Sequence, residues 1–243
     1  MAKTPAHPED LFPEVIEDYR ELFGDDLVSI ILYGSATGKD YRPGKSDINF
    51  MIVLSETGIE ELYKALGTVE KWRKRRVATP LFLSKFYVET STDVFPIEYL
   101  NLQSNHRVVY GKDVLKDLSF DSELLRLQCE REIKGKLLLL REAYLESAGK
   151  AKALKDVISR SVGAFTAIFK ALLFLRGEEV PAETRELIKT TCSVFDLESS
   201  VFERLLDIKL EEEKSRNEEM QKIYRDYLRE IRALSKRINA IGG

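Results

Sequence analysis

The sequence predicts an α/β domain followed by an all-α helical bundle. Three observations carry that division. Two runs rich in Val, Ile and Leu, Leu27 to Tyr33 and Ile48 to Leu54, read as strands buried on both faces. The segments flanking this pair carry apolar residues at helical spacing. Beyond Leu118 to Ser122 no strand-like run recurs and helical periodicity takes over. The expected domains are therefore residues 1–118 and 119–243.

Taken in order, residues 1–8 form a loose, Pro-containing arm. Asp10 to Phe23 places Leu11, Val15, Ile16, Tyr19, Leu22 and Phe23 on one helical stripe, and Gly24 stops it. The first strand ends at Gly34 and Ser35, where Gly tolerates unusual backbone angles and lets a ligand approach the main chain. Ala36 to Asp40 is expected to start a short helix whose free N–H groups suit an anion. Pro43 and Gly44 make a turn. Asp47 then stands at the mouth of the second strand with Asn49 two residues on. Side chains alternate along a strand, so Asp47 and Asn49 point the same way.

Ile59 to Val77 reads as one helix, with Ile59, Leu62, Tyr63, Leu66, Val69, Trp72 and Arg76 at suitable spacings. It ends in KWRKRR, the densest basic cluster of the chain. That cluster is either a contact for nucleic acid or nucleotide phosphate or a solvated helix end, where cations suit the helix dipole, and the solvated reading is the plainer one. Pro80 to Leu83 is a short strand and Ser84 to Thr90 a short helix. Phe95 to Leu102 is expected as a strand carrying Glu98 between Ile97 and Tyr99. An acid in such a run is costly to bury unless it is paired or bound to metal.

The second half supplies helices at Ser122 to Glu146, Lys152 to Arg176, Pro181 to about Cys192, Leu197 to Ile208 and Glu211 to Ile241. Lys152 to Arg176 is the most apolar and belongs at the bundle's centre. Pro181 opens its helix from a favoured first-turn position.

Composition narrows the function. Hydrophobic residues make up 44%, enough for a core, and charged residues 33%, as on a solvated helical surface. A net charge of −3 argues against bulk electrostatic binding of nucleic acid. Cys129 and Cys192 are too few for a disulfide framework and read as reduced and buried. No window approaches eighteen uninterrupted apolar residues and the N-terminus lacks a signal-like core, so no membrane is expected and the cytoplasm is the default. The only histidines, His7 and His106, lie outside the bundle. That count speaks against a HEPN-type ribonuclease, a His-assisted serine or cysteine hydrolase and a Cys/His metal site.

The stretch LVSIILYGSATGKDYRPGKSDINFMIVL resembles the nucleotidyltransferase superfamily, of the polymerase-β and kanamycin nucleotidyltransferase type. The family pattern is a strand, Gly-Ser, about ten residues, then an acid, an apolar residue and a second acid. Its match here is Gly34, Ser35, Asp47, Ile48 and Asn49, with Glu98 in FPIEYLNL as the third acid and VVYGKDVL as a family-like ending. The resemblance covers roughly residues 10–118 and implies a nucleotidyltransferase-like mixed sheet. It implies that Gly34 and Ser35 hold the phosphates of a nucleoside triphosphate and that Asp47, Asn49 and Glu98 hold magnesium. Lys45, with Lys39 and Arg42, is a nearby cation for the triphosphate, and Glu98 is the candidate base. The implied reaction moves a nucleoside monophosphate, AMP from ATP, to a small-molecule or macromolecular acceptor. The bundle is then a substrate wall or a homodimer surface.

The sequence departs from the pattern at Asn49, which stands where the family has its second acid. Magnesium favours anionic oxygen ligands, and Asn offers one neutral carbonyl. A second reading therefore stays open: a catalytically degenerate fold that binds nucleotide or a protein partner.

Overall fold

The computed structural model describes residues 5–38, 41–210 and 217–240. The chain divides into two compact units, Met1–Val94 with Tyr99–Ser119, and Phe95–Glu98 with Phe120–Gly243. In chain order the first contributes helix α1 (Phe12–Phe23), strands β1 (Leu27–Tyr33) and β2 (Asn49–Leu54), helices α2 (Glu56–Glu60) and α3 (Leu66–Arg73), strand β3 (Leu81–Ser84) and helix α4 (Lys85–Thr90). Helix α5 (Pro96–Ser104) and strand β4 (His106–Gly111) follow.

The sheet order is β3-β2-β1-β4. β1 pairs antiparallel with both β2 and β4, and β2 pairs parallel with β3, so the sheet is mixed. One face is covered by Leu11 of a short 3-10 turn and by Val15, Tyr19 and Phe23 of α1. These four stand four residues apart and so form one helical stripe. They pack with Ile30, Leu32, Phe50, Ile52 and Trp72. Ile31, Met51 and Val53 of the opposite face are also fully buried. The expectation of strands buried on both faces holds for β1 and β2.

Three expected elements differ. Phe95 to Leu102 is the helix α5, not a strand. Pro96 opens it, as proline suits a first helical position. Ile97, Tyr99 and Leu100 are buried while Glu98 is exposed, a helical rather than an alternating pattern. The fourth strand is instead HRVVYG, β4. The helix expected over Ile59 to Val77 breaks into α2, a 3-10 turn at Leu62–Ala65, and α3. Gly67 weakens its helical propensity, and Leu62, Tyr63 and Leu66 are exposed instead of forming a buried stripe. Ala36 to Asp40 is replaced by a 3-10 turn at Gly34–Thr37; Lys39 and Asp40 lie outside the described residues.

The second unit holds α6 (Ser122–Glu146), α7 (Ala151–Leu175), α8 (Thr184–Val194), α9 (Ser199–Lys209) and α10 (Asn217–Asn239). α8 starts at Thr184 behind the N-cap Glu183, whose carboxylate accepts from Glu186 N–H at 2.8 Å, so the cap and not Pro181 sets that start. Residues 211–216 and 241 of the expected last helix lie outside the described residues. α7 is long and apolar enough to cross a membrane by length and composition alone. In this unit it is the core helix, with nine residues buried from Leu154 to Leu173. Phe165, Phe169, Phe202 and Tyr227 meet edge to face around it, a favoured aromatic geometry. Cys129 and Cys192 are free and buried, and burial pushes both thiols up to about 12.

Candidate functional site

Strand register decides which polar residues meet. Tyr33, the last residue of β1, pairs with Asn49, the first of β2. Gly34 and Ser35 therefore leave the sheet at the end where Asp47 and Asn49 enter it. Ile48 is fully buried, whereas Asn49 is half-buried and Asp47 exposed. The alternation turns both polar side chains away from the core. Contact between the two motifs is close: a Cβ added at Gly34 would lie 3.3 Å from Asn49 Nδ2. Gly34 has φ +77, a left-handed conformation that glycine reaches without strain.

The Gly-Ser turn is held from two sides. The Gly34 carbonyl accepts from Thr37 Oγ1 at 2.8 Å and from Asn105 Nδ2 at 3.3 Å. Thr37 and Asn105 also hydrogen-bond each other. The Asn105 contact is not readable in sequence, because it joins residues 71 positions apart, whereas Thr37 bonds Gly34 across three. Ser35 offers its hydroxyl with no partner among the described residues. Lys45 is exposed in the loop closed by Ser46 N–H on the Arg42 carbonyl at 2.8 Å. Lys39 lies outside the described residues.

The basic cluster is largely neutralised by ion pairs. Lys71 meets Asp18 at 2.7 Å and Glu14 at 2.9 Å; Arg73 and Lys74 meet Glu70 at 2.8 and 3.9 Å. Arg75 pairs with Glu14, and its guanidinium carbon lies 4.7 Å from the Trp72 ring centre. Hydrogen bonds from Lys71 and then Arg75 hold the Glu14 carboxyl below the usual carboxylate range.

Arg76 is the exception. Its Nη1 lies 3.7 Å from Asp47 Oδ1, with the side chains 47% and 63% exposed. Its φ is +64. Val77 N–H bonds the Trp72 carbonyl and Arg76 N–H the Arg73 carbonyl, both at 3.2 Å. This is the Schellman arrangement that ends helices, with Arg76 where glycine is usual. A left-handed non-glycine costs about 1–2 kcal/mol. An exposed ion pair contributes about 0–1 kcal/mol, too little to offset that.

Glu98 is not brought to this end by the sheet. It lies in the first turn of α5, and its carboxylate accepts from Gln128 Nε2 of α6 at 2.7 Å. Gln128 also accepts from Ile97 N–H at 2.8 Å. The strand beside β1 is β4, and it carries no acid. Among the described residues, no three of His, Cys, Asp and Glu gather as a metal site. Among the described residues of the first unit, the motif supplies one carboxylate, Asp47, and one neutral amide oxygen, Asn49, at the β1–β2 mouth. That set fits a single magnesium ion carried in on phosphates, with water and phosphate filling its shell. It does not fit a clamp of two ions between carboxylates.

No family profile matches the chain, and no curated protein sequence matches it. In structure it is similar to spectinomycin adenyltransferase AAD(9) from Enterococcus faecialis, solved with ATP and spectinomycin. The TM-score is 0.51 at 12% identity, covering 92% of this chain and 98% of that one. At that identity the likeness speaks for the fold, a nucleotidyltransferase-like domain followed by a helical bundle.

Proposed function

We propose that this chain is a nucleotidyltransferase that binds a nucleoside triphosphate, ATP in the first instance, at the β1–β2 mouth. It transfers the nucleoside monophosphate to an acceptor and releases pyrophosphate. The observation that supports this is the Tyr33–Asn49 register, which brings the Gly34–Ser35 turn against Asn49 at the strand end that Asp47 leads into. Gly34 and Ser35 receive the phosphates through N–H and hydroxyl donors. Asp47, with the Asn49 carbonyl, holds one magnesium ion, and Lys45 adds positive charge from the loop. Glu98 is left out of this set, because the strand expected to present it is a helix. AAD(9) was solved with spectinomycin beside ATP, which makes a small molecule the first acceptor class to screen.

A second reading is favoured by two observations, the amide at Asn49 and the absence of acids on β4. On that reading the site binds nucleotide and transfers nothing. One experiment separates the two: titration calorimetry with ATP, with and without magnesium, beside pyrophosphate release, on wild type, Asp47→Ala and Asn49→Asp. The first reading expects magnesium-dependent binding and slow release by wild type, with water attacking the α-phosphorus in place of the acceptor so that AMP leaves beside pyrophosphate, and Asp47→Ala binding at least about 100-fold weaker, equivalent to about 2.7 kcal/mol. Binding without release in wild type, with release gained in Asn49→Asp, selects the second. No binding by any of the three sinks both.

A further inference from the structure

We infer that Arg76 is a phosphate-binding residue of this mouth, supplying in fixed form positive charge that a second metal ion would otherwise bring. The inference rests on the nucleotide reading above and deepens it.

Position comes first. Ile48 N–H donates to the Arg76 carbonyl at 3.1 Å, and Ala78 N–H donates to the Ile48 carbonyl at 2.9 Å. Ile48 and Val77 form a parallel bridge. The backbone of residues 76–78 is therefore pinned to the one residue that separates Asp47 from Asn49.

Availability comes second. Lys71, Arg73, Lys74 and Arg75 all sit on Glu14, Asp18 or Glu70. Among the described residues, Arg76 meets only the Asp47 carboxylate, loosely and in solvent. When Asp47 turns its charge to magnesium, Arg76 loses its partner and phosphate oxygens replace it. A guanidinium suits that exchange, since its planar fork matches phosphate geometry.

Residue type comes third. The helix end needs a left-handed residue, and glycine supplies one without strain. Arginine keeps the same cap at a penalty and adds a guanidinium beside Asp47. Handedness alone is no signal, because Ala148 has φ +48 with no functional group. The signal is handedness together with the Asp47 contact. Asn49 explains the need: with one carboxylate fewer, the mouth fits one ion, and a triphosphate then lacks positive charge.

The test is calorimetry with magnesium–ATP and with AMP on wild type, Arg76→Lys, Arg76→Gln and Arg76→Gly. Arg76→Gln and Arg76→Gly are expected to bind ATP at least about tenfold more weakly while AMP affinity stays within about twofold, since a charge-assisted contact to the outer phosphates is lost. Arg76→Lys falls between. Arg76→Gly also melts about 2–4 °C higher, because the left-handed strain is gone. ATP affinity unchanged in Arg76→Gln overturns the inference and leaves the nucleotide site standing. Equal losses for ATP and AMP mark a structural role and overturn it as well. A wild type that binds no ATP overturns the nucleotide reading and the inference together.

Discussion

Helices α3 and α7 close with the same pair of hydrogen bonds and different residues. In α7, Glu178 N–H bonds the Leu173 carbonyl and Gly177 N–H the Phe174 carbonyl, both at 3.0 Å, with Gly177 at φ +69. In α3 the same bonds form around Arg76. The bundle helix uses the residue that makes the cap cheap. The sheet-side helix uses one that makes it strained. α8 offers an intermediate case: Asp196, at φ +47, caps it and pairs with Arg237 at 2.7 Å. Where the left-handed position carries a charged side chain, that side chain has something to meet. The lesson is that a cap can be read for function when its residue is worse for stability than the alternative.

Three substitutions test that comparison, and the largest effect belongs to the cap's anchor. Trp72 supplies the carbonyl that closes α3, is buried, and donates its ring N–H to Asp18 at 2.8 Å. Trp72→Ala is expected to destabilise by about 3–5 kcal/mol, read as a lower urea midpoint at unchanged slope. A loss under about 1 kcal/mol would mean that α3 is not anchored in the core, and the match with α7 would be formal only.

Next is Gly177→Arg, which writes the α3 ending onto α7. Nothing lies within 4 Å of a Cβ at Gly177, so the backbone alone is strained. Thermal melts should show a loss of about 1–2 kcal/mol. No loss would remove the reason for treating Arg76 as a costly choice.

The smallest effect concerns acid. Lys71 and Arg75 hold the Glu14 carboxyl below its ordinary value of 4.5. The folded state therefore binds this proton less readily than the unfolded chain. Its stabilising contribution is complete above about pH 4.5 and is lost as pH falls through the lowered folded value. Glu14 is 43% exposed, so screening keeps the effect small. Denaturation followed from pH 7 to pH 3 should show a shallower acid limb in Glu14→Gln than in wild type. Matching limbs would mean that Lys71 and Arg75 do not hold the Glu14 carboxyl down in the folded state.

Legibility from sequence followed the clarity of periodicity. β1 and β2 are short, mostly apolar runs rich in Val, Ile and Leu between polar turns, and α6 and α7 are long stripes, so each is legible. Asp47 and Asn49 fall on one side by alternation alone, and the structure brings Asn49 against Gly34. Phe95 to Leu102 failed because a short apolar run has no decisive period; Pro96 was the signal for a helix start that went unused. β4 was hidden for the complementary reason, since its alternation is weak and His106 and Arg107 open it. Glu98 inherited its expected strand from that error. Arg76 stands in the basic cluster weighed as a phosphate contact, but its left-handed cap and its place beside Asp47 are not legible in sequence, and neither is the Asn105 contact across 71 positions.

The Asn105 contact has a consequence for motion. β4 is an edge strand, bonded on one side only, and Asn105 stands immediately before it. Sheet edges open more often than sheet centres in native-state hydrogen exchange. Each opening of the first residues of β4 also releases the Gly34 carbonyl from Asn105. The turn at the mouth then keeps only the Thr37 hydroxyl on that carbonyl, so part of what holds it lasts no longer than the neighbouring edge.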